Sequence, residues 1–154
     1  MFDTIVLATD GSKSVERAVT VALDLAERFD ATVHALYVVD ETEVEAAPDR
    51  VRDDLRDALH EQAEEALGEI ESRADDVQTA VRDGTPATEI CAYAEDVDAD
   101  LVATGTRGRH GEHSFLLGSV AEAVVRRSPV PVLTARQLEA GEDGSVPDPA
   151  DLEA

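Results

Sequence analysis

The sequence is poor in cysteine, aromatic residues and long apolar runs. It has one cysteine and no tryptophan, and aromatic side chains make up 3% of its 154 residues. The single cysteine, Cys91, excludes an internal disulfide, and we expect it to be a small packing residue in an aliphatic core. No apolar run approaches the ~20 residues that span a bilayer, and no leader peptide is evident. We therefore expect a cytoplasmic protein without a membrane partner.

Positive charge is also scarce, since 13 basic residues stand against 35 acidic ones and Lys13 is the only lysine. The resulting net charge of −22 repels nucleic acid and anionic membranes, so we expect neither as a partner. The acidic residues alternate with apolar ones in helical patterns, which indicates solvated helix faces rather than a disordered chain. This acidic, lysine-poor composition resembles that of proteins from extreme halophiles. It predicts strong self-repulsion at low salt.

Strand and helix patterns alternate along the chain. Short apolar or β-branched runs predict strands at 4–9, 32–39, 77–82, 100–104 and 130–134. Helical spacing of apolar residues fills the four intervals between them. Because parallel neighbours require crossover connections, this order predicts an α/β fold, a five-stranded parallel sheet with helices on both faces. The length suits one domain, 1–136, and we expect the acidic segment 137–154 to be a disordered tail.

The helical patterns also predict which side chains face the core. The stripe of the first helix ends at Phe29, and that of the long acidic helix begins at Val51. Thr85 and Pro86 supply a typical N-cap and first residue for the next helix. In the last helix, the spacing places three valines inside: Val120, Val124 and Val125.

A glycine-rich loop, GTRGRHGEHSFLLGSV, follows the fourth predicted strand. Two residues separate Gly105 from Gly108, nine separate Gly108 from Gly118, and Ser119 begins the next helix. Glycines let main-chain N–H groups approach phosphate oxygens without a Cβ in the way. The start of a helix directs unsatisfied N–H groups and a positive dipole end at an anion. The loop therefore indicates a polyphosphate site.

This loop and several other polar residues also have interpretations other than a phosphate site. Ser119 and Glu122 have the spacing of a capping box, which would satisfy the helix amides without a ligand. Against that stand two arginines, Arg107 and Arg109, in the one loop that is not acidic. Walker A and GxGxxG sequences are absent, which argues against P-loop enzymes and dinucleotide dehydrogenases. Other polar residues are expected to have no catalytic role: His34, His60, His110 and His113 as structural or solvated histidines, and Ser12 and Ser14 as helix-start residues.

The pattern G-x₂-G-x₉-G-S formed by Gly105, Gly108, Gly118 and Ser119 resembles that of the ATP-binding universal stress proteins. The resemblance extends over nearly all of 2–136, including the strand that runs into Asp10 and the closing PVPVL segment at 129–133. It implies a Rossmann-like sheet of the adenine-nucleotide alpha-hydrolase type with strand order 3-2-1-4-5. It also implies a homodimer formed through the last strand, from Val130 to Leu133.

The resemblance further implies a set of nucleotide-binding residues. Asp10 would lie near the ribose or a phosphate-bound Mg²⁺, so no metal site is formed by the protein alone. Ala121 departs from the family, because many members have a second hydroxyl residue there. The implied contacts to the nucleoside come from Ala8, Thr9, Asp10, Val38 and Val39, and those to ribose and phosphates from Gly105, Arg107, Gly108, Gly118, Ser119 and Val120.

These observations favour an ATP-binding regulator of a stress response, with ATP and Mg²⁺ as cofactors. An alternative is a module that holds AMP or another adenine nucleotide, or that acts only through protein partners. A weaker alternative is a slow ATPase or a nucleotidyl-transfer enzyme. No general base is evident, and we expect no second substrate domain, which makes these enzymatic alternatives weaker.

Overall fold

The computed structural model describes residues 2–107 and 117–138. Within them the chain forms five strands and five α-helices. The strands are β1 (Thr4–Thr9), β2 (Thr32–Asp40), β3 (Val77–Gly84), β4 (Leu101–Gly105) and β5 (Val132–Ala135). The helices are α1 (Glu16–Phe29), α2 (Glu41–Glu45), α3 (Arg52–Glu71), α4 (Pro86–Asp96) and α5 (Ser119–Arg127). Two 3₁₀ turns, Lys13–Val15 and Asp49–Val51, precede α1 and α3.

The five strands form one parallel sheet in the order β3-β2-β1-β4-β5, which confirms the predicted fold class and strand order. In this register Ile5 of β1 lies between Val33 of β2 and Leu101 of β4. Because β1 and β4 are parallel neighbours, the loops that follow them lie side by side at the carboxyl edge of the sheet, where the strands end. The chain order reverses at this point, which is where parallel α/β sheets place their ligands.

Alternate side chains of β1 enter two separate hydrophobic cores. Ile5 and Leu7 pack with α1 and α3 on one face, whereas Val6 and Ala8 pack with α4 and α5 on the other. All four side chains are buried, as expected for a central parallel strand covered on both faces. None of the described helices is long and apolar enough to cross a membrane.

Local signals in the sequence account for several element boundaries. Thr85 is the N-cap of α4, with Pro86 at its first position, as predicted. Asp30 ends α1 in a left-handed conformation (φ 54°). Pro131 has no N–H, and β5 accordingly begins only at Val132. Cys91 on α4 is half-buried, and burial raises the pKa of its thiol above the ordinary value.

Four predicted core positions are wrong. Phe29 is 46% exposed and stacks edge-on against Phe2, with ring centroids 5.2 Å apart. In α5 the inward face is formed by Ala121 and Val124, whereas Val120 and Val125 are exposed. The small Ala121 faces inward in place of a valine, so the apolar residues of α5 do not all lie on one stripe. Val51, in the 3₁₀ turn, is also exposed.

The predicted tail, 137–154, lies outside the described residues except for its first two. Of these, Gln137 accepts a hydrogen bond through Oε1 from the backbone N–H of Arg17, at 2.9 Å. Arg17 in turn donates through its guanidinium to the carbonyl oxygen of Arg136, at 3.0 Å. The chain beyond β5 is therefore tied to the first turn of α1, close to the carboxyl edge of the sheet.

Candidate functional site

A cleft of about 300 Å³ lies at the carboxyl edge of the sheet, above β2, β1 and β4. The α2–α3 side of the fold closes one end of it, and the start of α5 closes the other. Ten of the eleven site residues predicted from the sequence line this cleft; the eleventh, Gly108, lies outside the described residues. They are Ala8, Thr9, Asp10, Val38, Val39, Gly105, Arg107, Gly118, Ser119 and Val120.

The loop after β1 forms the floor of the cleft. Asp10 follows the buried Thr9, and its Oδ1 accepts a hydrogen bond from the backbone N–H of Ser12, at 2.9 Å. The Thr9 hydroxyl accepts from the N–H of Gly11, at 3.1 Å. Gly11 has φ +76°, in the region that favours glycine, so the chain turns sharply here. The turn therefore helps to hold the Asp10 carboxylate in place through a hydrogen bond from within the loop.

The start of α5 has the geometry expected at a phosphate site. Gly118 is its N-cap, and the first helical hydrogen bond runs from the N–H of Glu122 to the carbonyl of Gly118, at 2.9 Å. The N–H groups of Ser119, Val120 and Ala121 consequently have no acceptor within the helix. Gly118 is itself held by a 2.7 Å hydrogen bond from its N–H to the carbonyl of Thr106. This bond joins the β4 loop to the start of α5.

The capping-box alternative is not realised in the structure. Ser119 is the first residue of α5 rather than its N-cap. The Glu122 carboxylate forms an ion pair with Arg126, at 2.7 Å, one turn further along the helix. The amides at the start of α5 are therefore not satisfied by this pair of side chains, and the anion-site interpretation keeps its geometric basis.

The opposite end of the cleft is formed by the end of β2 and by α2, which the sequence analysis missed. Asp40 ends β2 and caps α2, with its carboxylate accepting from the N–H of Thr42. Glu43, one turn further on, lines the cleft. Asp40 and Glu43 have the spacing of an N-cap residue and its third helical residue, which is a signal that could have predicted α2. The helix spans only five residues, too few for an apolar stripe to show.

Apolar side chains line the cleft between these polar ends. Pro86 and Ile90 of α4 lie on one wall and Leu59 of α3 on another, with Val39 between them. An apolar slot with polar groups at its ends suits a planar, amphipathic ligand such as a nucleoside. Val39 was predicted as part of the site. Pro86, Ile90 and Leu59 were not, because in the sequence they are ordinary residues of α3 and α4.

Charge is distributed unevenly along the cleft. Asp40 and Glu43 lie at the β2 end and Asp10 on the floor, whereas Arg107 lies at the end formed by β4 and α5. Among the described residues there is no cluster of three or more His, Cys, Asp or Glu that could hold a metal ion. An anionic group is therefore accommodated at the Arg107 end and is repelled at the β2 end.

Two of the four histidines, His34 and His60, are described by the structure, and neither lines the cleft. His34 on β2 shares a hydrogen bond with the hydroxyl of Tyr93, at 2.9 Å, and burial lowers the pKa of its imidazole. His60 on α3 lies 2.8 Å from the Asp83 carboxylate. His110 and His113 belong to the residues that the structure does not describe.

A second groove, of about 410 Å³, lies on the other side of Asp10 between α1 and α3. Its polar rim contains Glu16, Glu65, Glu69 and Arg73. Arg73 is engaged by Glu16 and by the Thr20 hydroxyl, at 3.5 and 3.1 Å. This rim is mainly acidic, so a phosphate group is favoured in the first cleft and not here.

Comparisons with known proteins agree with this architecture. The family model described as "Universal stress protein family" matches residues 1–136. A universal stress protein of Methanocaldococcus jannaschii is 37% identical over 142 residues, which cover 89% of this chain and 84% of the relative. The solved structure of the universal stress protein UspA from Lactobacillus plantarum has a TM-score of 0.74 at 27% identity, covering 88% of this chain and 98% of that one.

A further solved structure is that of a universal stress protein in complex with cAMP. It has a TM-score of 0.66 at 27% identity, and the alignment covers 89% of this chain and 98% of that one. The family model spans almost the whole described fold, including both ends of the cleft, and the Methanocaldococcus relative covers most of the chain. The chain belongs to the universal stress protein family.

Proposed function

We propose that this chain binds ATP together with Mg²⁺ in the cleft and acts as a nucleotide-dependent regulator of a stress response in the cytoplasm. The observation that carries the proposal is that one cleft contains both the predicted phosphate-binding residues and the predicted base-binding residues. This cleft brings the N–H groups at the start of α5 that have no acceptor within the helix, together with the β4 loop, to face the end of β2 across an apolar slot. Amides and a cation suit phosphates, and the slot suits a base.

In this proposal the backbone groups of Val38 and Val39 bind adenine, and Asp10 lies near the ribose or the phosphate-bound Mg²⁺. Gly105 and Arg107 extend along the ribose and phosphates, and the amides of Ser119 and Val120 hold the outer phosphates. Gly118 lies beside them as the N-cap of α5, with its own N–H engaged by the carbonyl of Thr106. Gly108 joins them by its place in the family pattern. With Ala121 in place of a hydroxyl residue, one phosphate contact is lost, at a cost of about 1 kcal/mol.

Binding rather than catalysis is the proposed activity. Asp10 lies on the floor of the cleft, and its Oδ1 is engaged by the N–H of Ser12. No histidine lines the described part of the cleft. Hydrolysis would then depend on positioning and Mg²⁺ alone and would be slow. Occupancy by ATP would instead stabilise one conformation or one partner-binding surface.

A second candidate is a module for adenine mononucleotides. The relative solved in complex with cAMP supports it, since that protein shares this fold at 27% identity. The acidic residues of the cleft also favour a ligand with less negative charge than ATP. Mass spectrometry of nucleotide retained by the gently purified protein distinguishes the two candidates.

The decisive variant for the phosphate end is Val120→Glu. Val120 is 39% exposed and is the second residue of α5, where a carboxylate improves helix stability but repels a phosphate. Calorimetry should show at least about tenfold weaker ATP binding, with an unchanged or higher melting temperature. The matched control is Val125→Glu, which adds the same charge to the same helix at a residue 48% exposed and away from the cleft. Equal ATP affinity in the two variants would contradict the proposed phosphate site.

The proposed assembly is a homodimer formed through β5. This strand lies at one edge of the sheet, is four residues long, and has half-buried Val132 and Leu133. An edge strand presents unpaired backbone groups that a second copy could pair with. In the proposed dimer, the side of β5 that does not pair with β4 pairs with β5 of the second copy.

A further inference from the structure

The nucleoside end of the cleft contains a carboxylate that the proposed contacts do not use. Glu43 lies on α2, directly after the end of β2, and lines the cleft together with Val38, Val39 and Asp40. One oxygen of Asp40 is engaged as the helix cap, at 3.0 Å from the N–H of Thr42. In the part of the chain that the structure describes, no hydrogen bond or ion pair engages the Glu43 carboxylate. Its oxygens are therefore available to a ligand.

Glu43 is held at this place by contacts on both sides of it. Val44, the next residue, is fully buried and anchors α2 in the core. Arg56 of α3 contacts the Glu41 carboxylate through two nitrogens, at 3.2 and 3.4 Å. Arg52 donates to the carbonyl oxygens of Glu45 and Ala47, at 2.7 and 2.9 Å. The backbone that carries Glu43 is thus fixed relative to the cleft before a ligand arrives.

The charge distribution determines which part of a nucleotide meets Glu43. Phosphates are repelled by Asp40 and Glu43 and attracted by Arg107 and the start of α5 at the other end. A bound nucleotide therefore places its base at the β2 end. An ionised carboxylate only accepts hydrogen bonds, so it selects a base edge that donates.

We propose that Glu43 is a specificity-determining residue of the cleft that accepts a hydrogen bond from the exocyclic 6-amino group of adenine. This inference rests on the proposed adenine-nucleotide binding and adds side-chain selectivity to the backbone contacts of Val38 and Val39. A purine without a donor at that position leaves a desolvated carboxylate without a partner, which weakens binding.

The test compares ATP with purine riboside 5′-triphosphate, which lacks only the 6-amino group. Both ligands carry the same phosphate charge, so the ratio of their dissociation constants is unaffected by the general repulsion that any Glu43 substitution relieves. The unaltered protein should bind ATP about tenfold more tightly than the analogue. In Glu43→Ala the ratio should fall to about one to two. In Glu43→Gln, which keeps a neutral acceptor, it should be intermediate.

Glu45→Ala is the matched control. Glu45 lies on the same helix, is exposed, and does not line the cleft, and Arg52 contacts only its backbone carbonyl. This variant makes the same change of net charge and should keep the tenfold ratio. The inference is overturned if Glu43→Ala keeps the ratio of the unaltered protein, or if that protein does not discriminate between the two ligands. If no variant binds ATP at all, the proposed function itself fails, and this inference with it.

Discussion

At position 105, the packing of the fold requires a glycine, and so does the proposed phosphate site. A Cβ on this residue would lie 2.9 Å from the carbonyl oxygen of Ser14 and 3.4 Å from the Cα of Val15. The end of β4 therefore packs directly against the turn that begins α1, and a side chain would separate them. The glycine was predicted from phosphate chemistry alone, but the close approach of these two backbones requires it even without a ligand.

His34 gives a pH dependence at the scale of a single residue. Burial lowers the pKa of its imidazole below the ordinary 6.5, an effect that the Asp76 carboxylate partly opposes. The unfolded chain then binds a proton more readily than the folded one. The stability that follows from neutral His34 is fully present above about pH 6.5 and is lost as the pH falls towards the lowered pKa.

The measurement is urea unfolding between about pH 7.5 and pH 5.5, with His34→Gln as the comparison. Glutamine does not titrate but can still form a hydrogen bond with Tyr93. The unaltered protein should lose more unfolding free energy over this interval than the variant does. If both proteins lose the same unfolding free energy over this interval, the loss of stability at acid pH comes from other groups and not from His34.

At the scale of elements, the sequence predicted the strands because each is a run of β-branched or apolar residues. The five predicted strands agree with the structure within about two residues at each end, and four helices were expected where α1, α3, α4 and α5 occur. The helix α2 was missed, since a five-residue helix depends on its cap at Asp40 and on contacts from α3. Such tertiary contacts leave no periodic signal.

The sequence also predicted only part of the lining of the cleft, because only some of its residues carry a local sequence signal. Residues in loops at the ends of β1 and β4 carry recognisable turn and glycine signals, and the structure brings them together in one cleft. The apolar walls formed by Pro86, Ile90 and Leu59 were not predicted. They are residues with core-like periodicity whose position at the cleft follows only from how α3 and α4 cross the sheet.

The Arg52 side chain is one of the contacts that attach the α2 segment to α3, beside the pair formed by Arg56 and Glu41. It donates hydrogen bonds to the carbonyls of Glu45, the last residue of α2, and of Ala47, two residues further on. Replacing it with methionine keeps most of the apolar stem but removes both bonds, so Arg52→Met should lower the unfolding free energy by about 1–2 kcal/mol in urea titrations. Because α2 carries Glu43, ATP affinity should fall as well. Arg50→Met, at an exposed neighbouring residue, should change neither quantity.

At the scale of the whole molecule, at least six arginines in the described part of the chain form ion pairs, but the 35 acidic residues far outnumber the 13 basic ones. Pairs such as Arg28–Asp24, Arg82–Asp96 and Arg126–Glu122 use up cations locally. Eight of the 20 residues of α3 are acidic, and several follow one another on its exposed side. The compact fold therefore concentrates negative charge that the unfolded chain could separate.

The dimer proposal is tested by changing an edge-facing backbone group. The carbonyl of Pro131 accepts from the N–H of Val102, so the alternation of a strand turns the N–H of Thr134 away from β4 and towards the open edge. Light scattering at micromolar concentration in high salt should report twice the mass of the chain. Thr134→Pro should shift the mass towards that of one chain while leaving the β4–β5 pairing intact. A single-chain mass for the unaltered protein would contradict the proposed dimer.

Salt should stabilise the fold, because the net charge of −22 opposes the compact state. The Debye length is about 10 Å at 0.1 M salt and about 3 Å at 1 M, so neighbouring surface carboxylates interact in the first condition and are largely screened in the second. Thermal melts in potassium chloride from tens of millimolar to several molar should therefore show a rising melting temperature. A flat or falling curve would contradict the salt-adapted interpretation of the composition.

A neutralised variant separates charge screening from other effects of concentrated salt. Glu61 and Glu64 are exposed on α3, and the double variant Glu61→Gln, Glu64→Gln removes two charges from its acidic side. If self-repulsion limits stability, this variant should melt higher than the unaltered protein at low salt, and the difference should shrink as salt increases. ATP binding should first strengthen with salt, since an anionic ligand approaches an acidic protein, and then weaken once the Arg107 contact is screened. A difference in melting temperature that is independent of salt would mean that the substitutions act through helix propensity and not through charge.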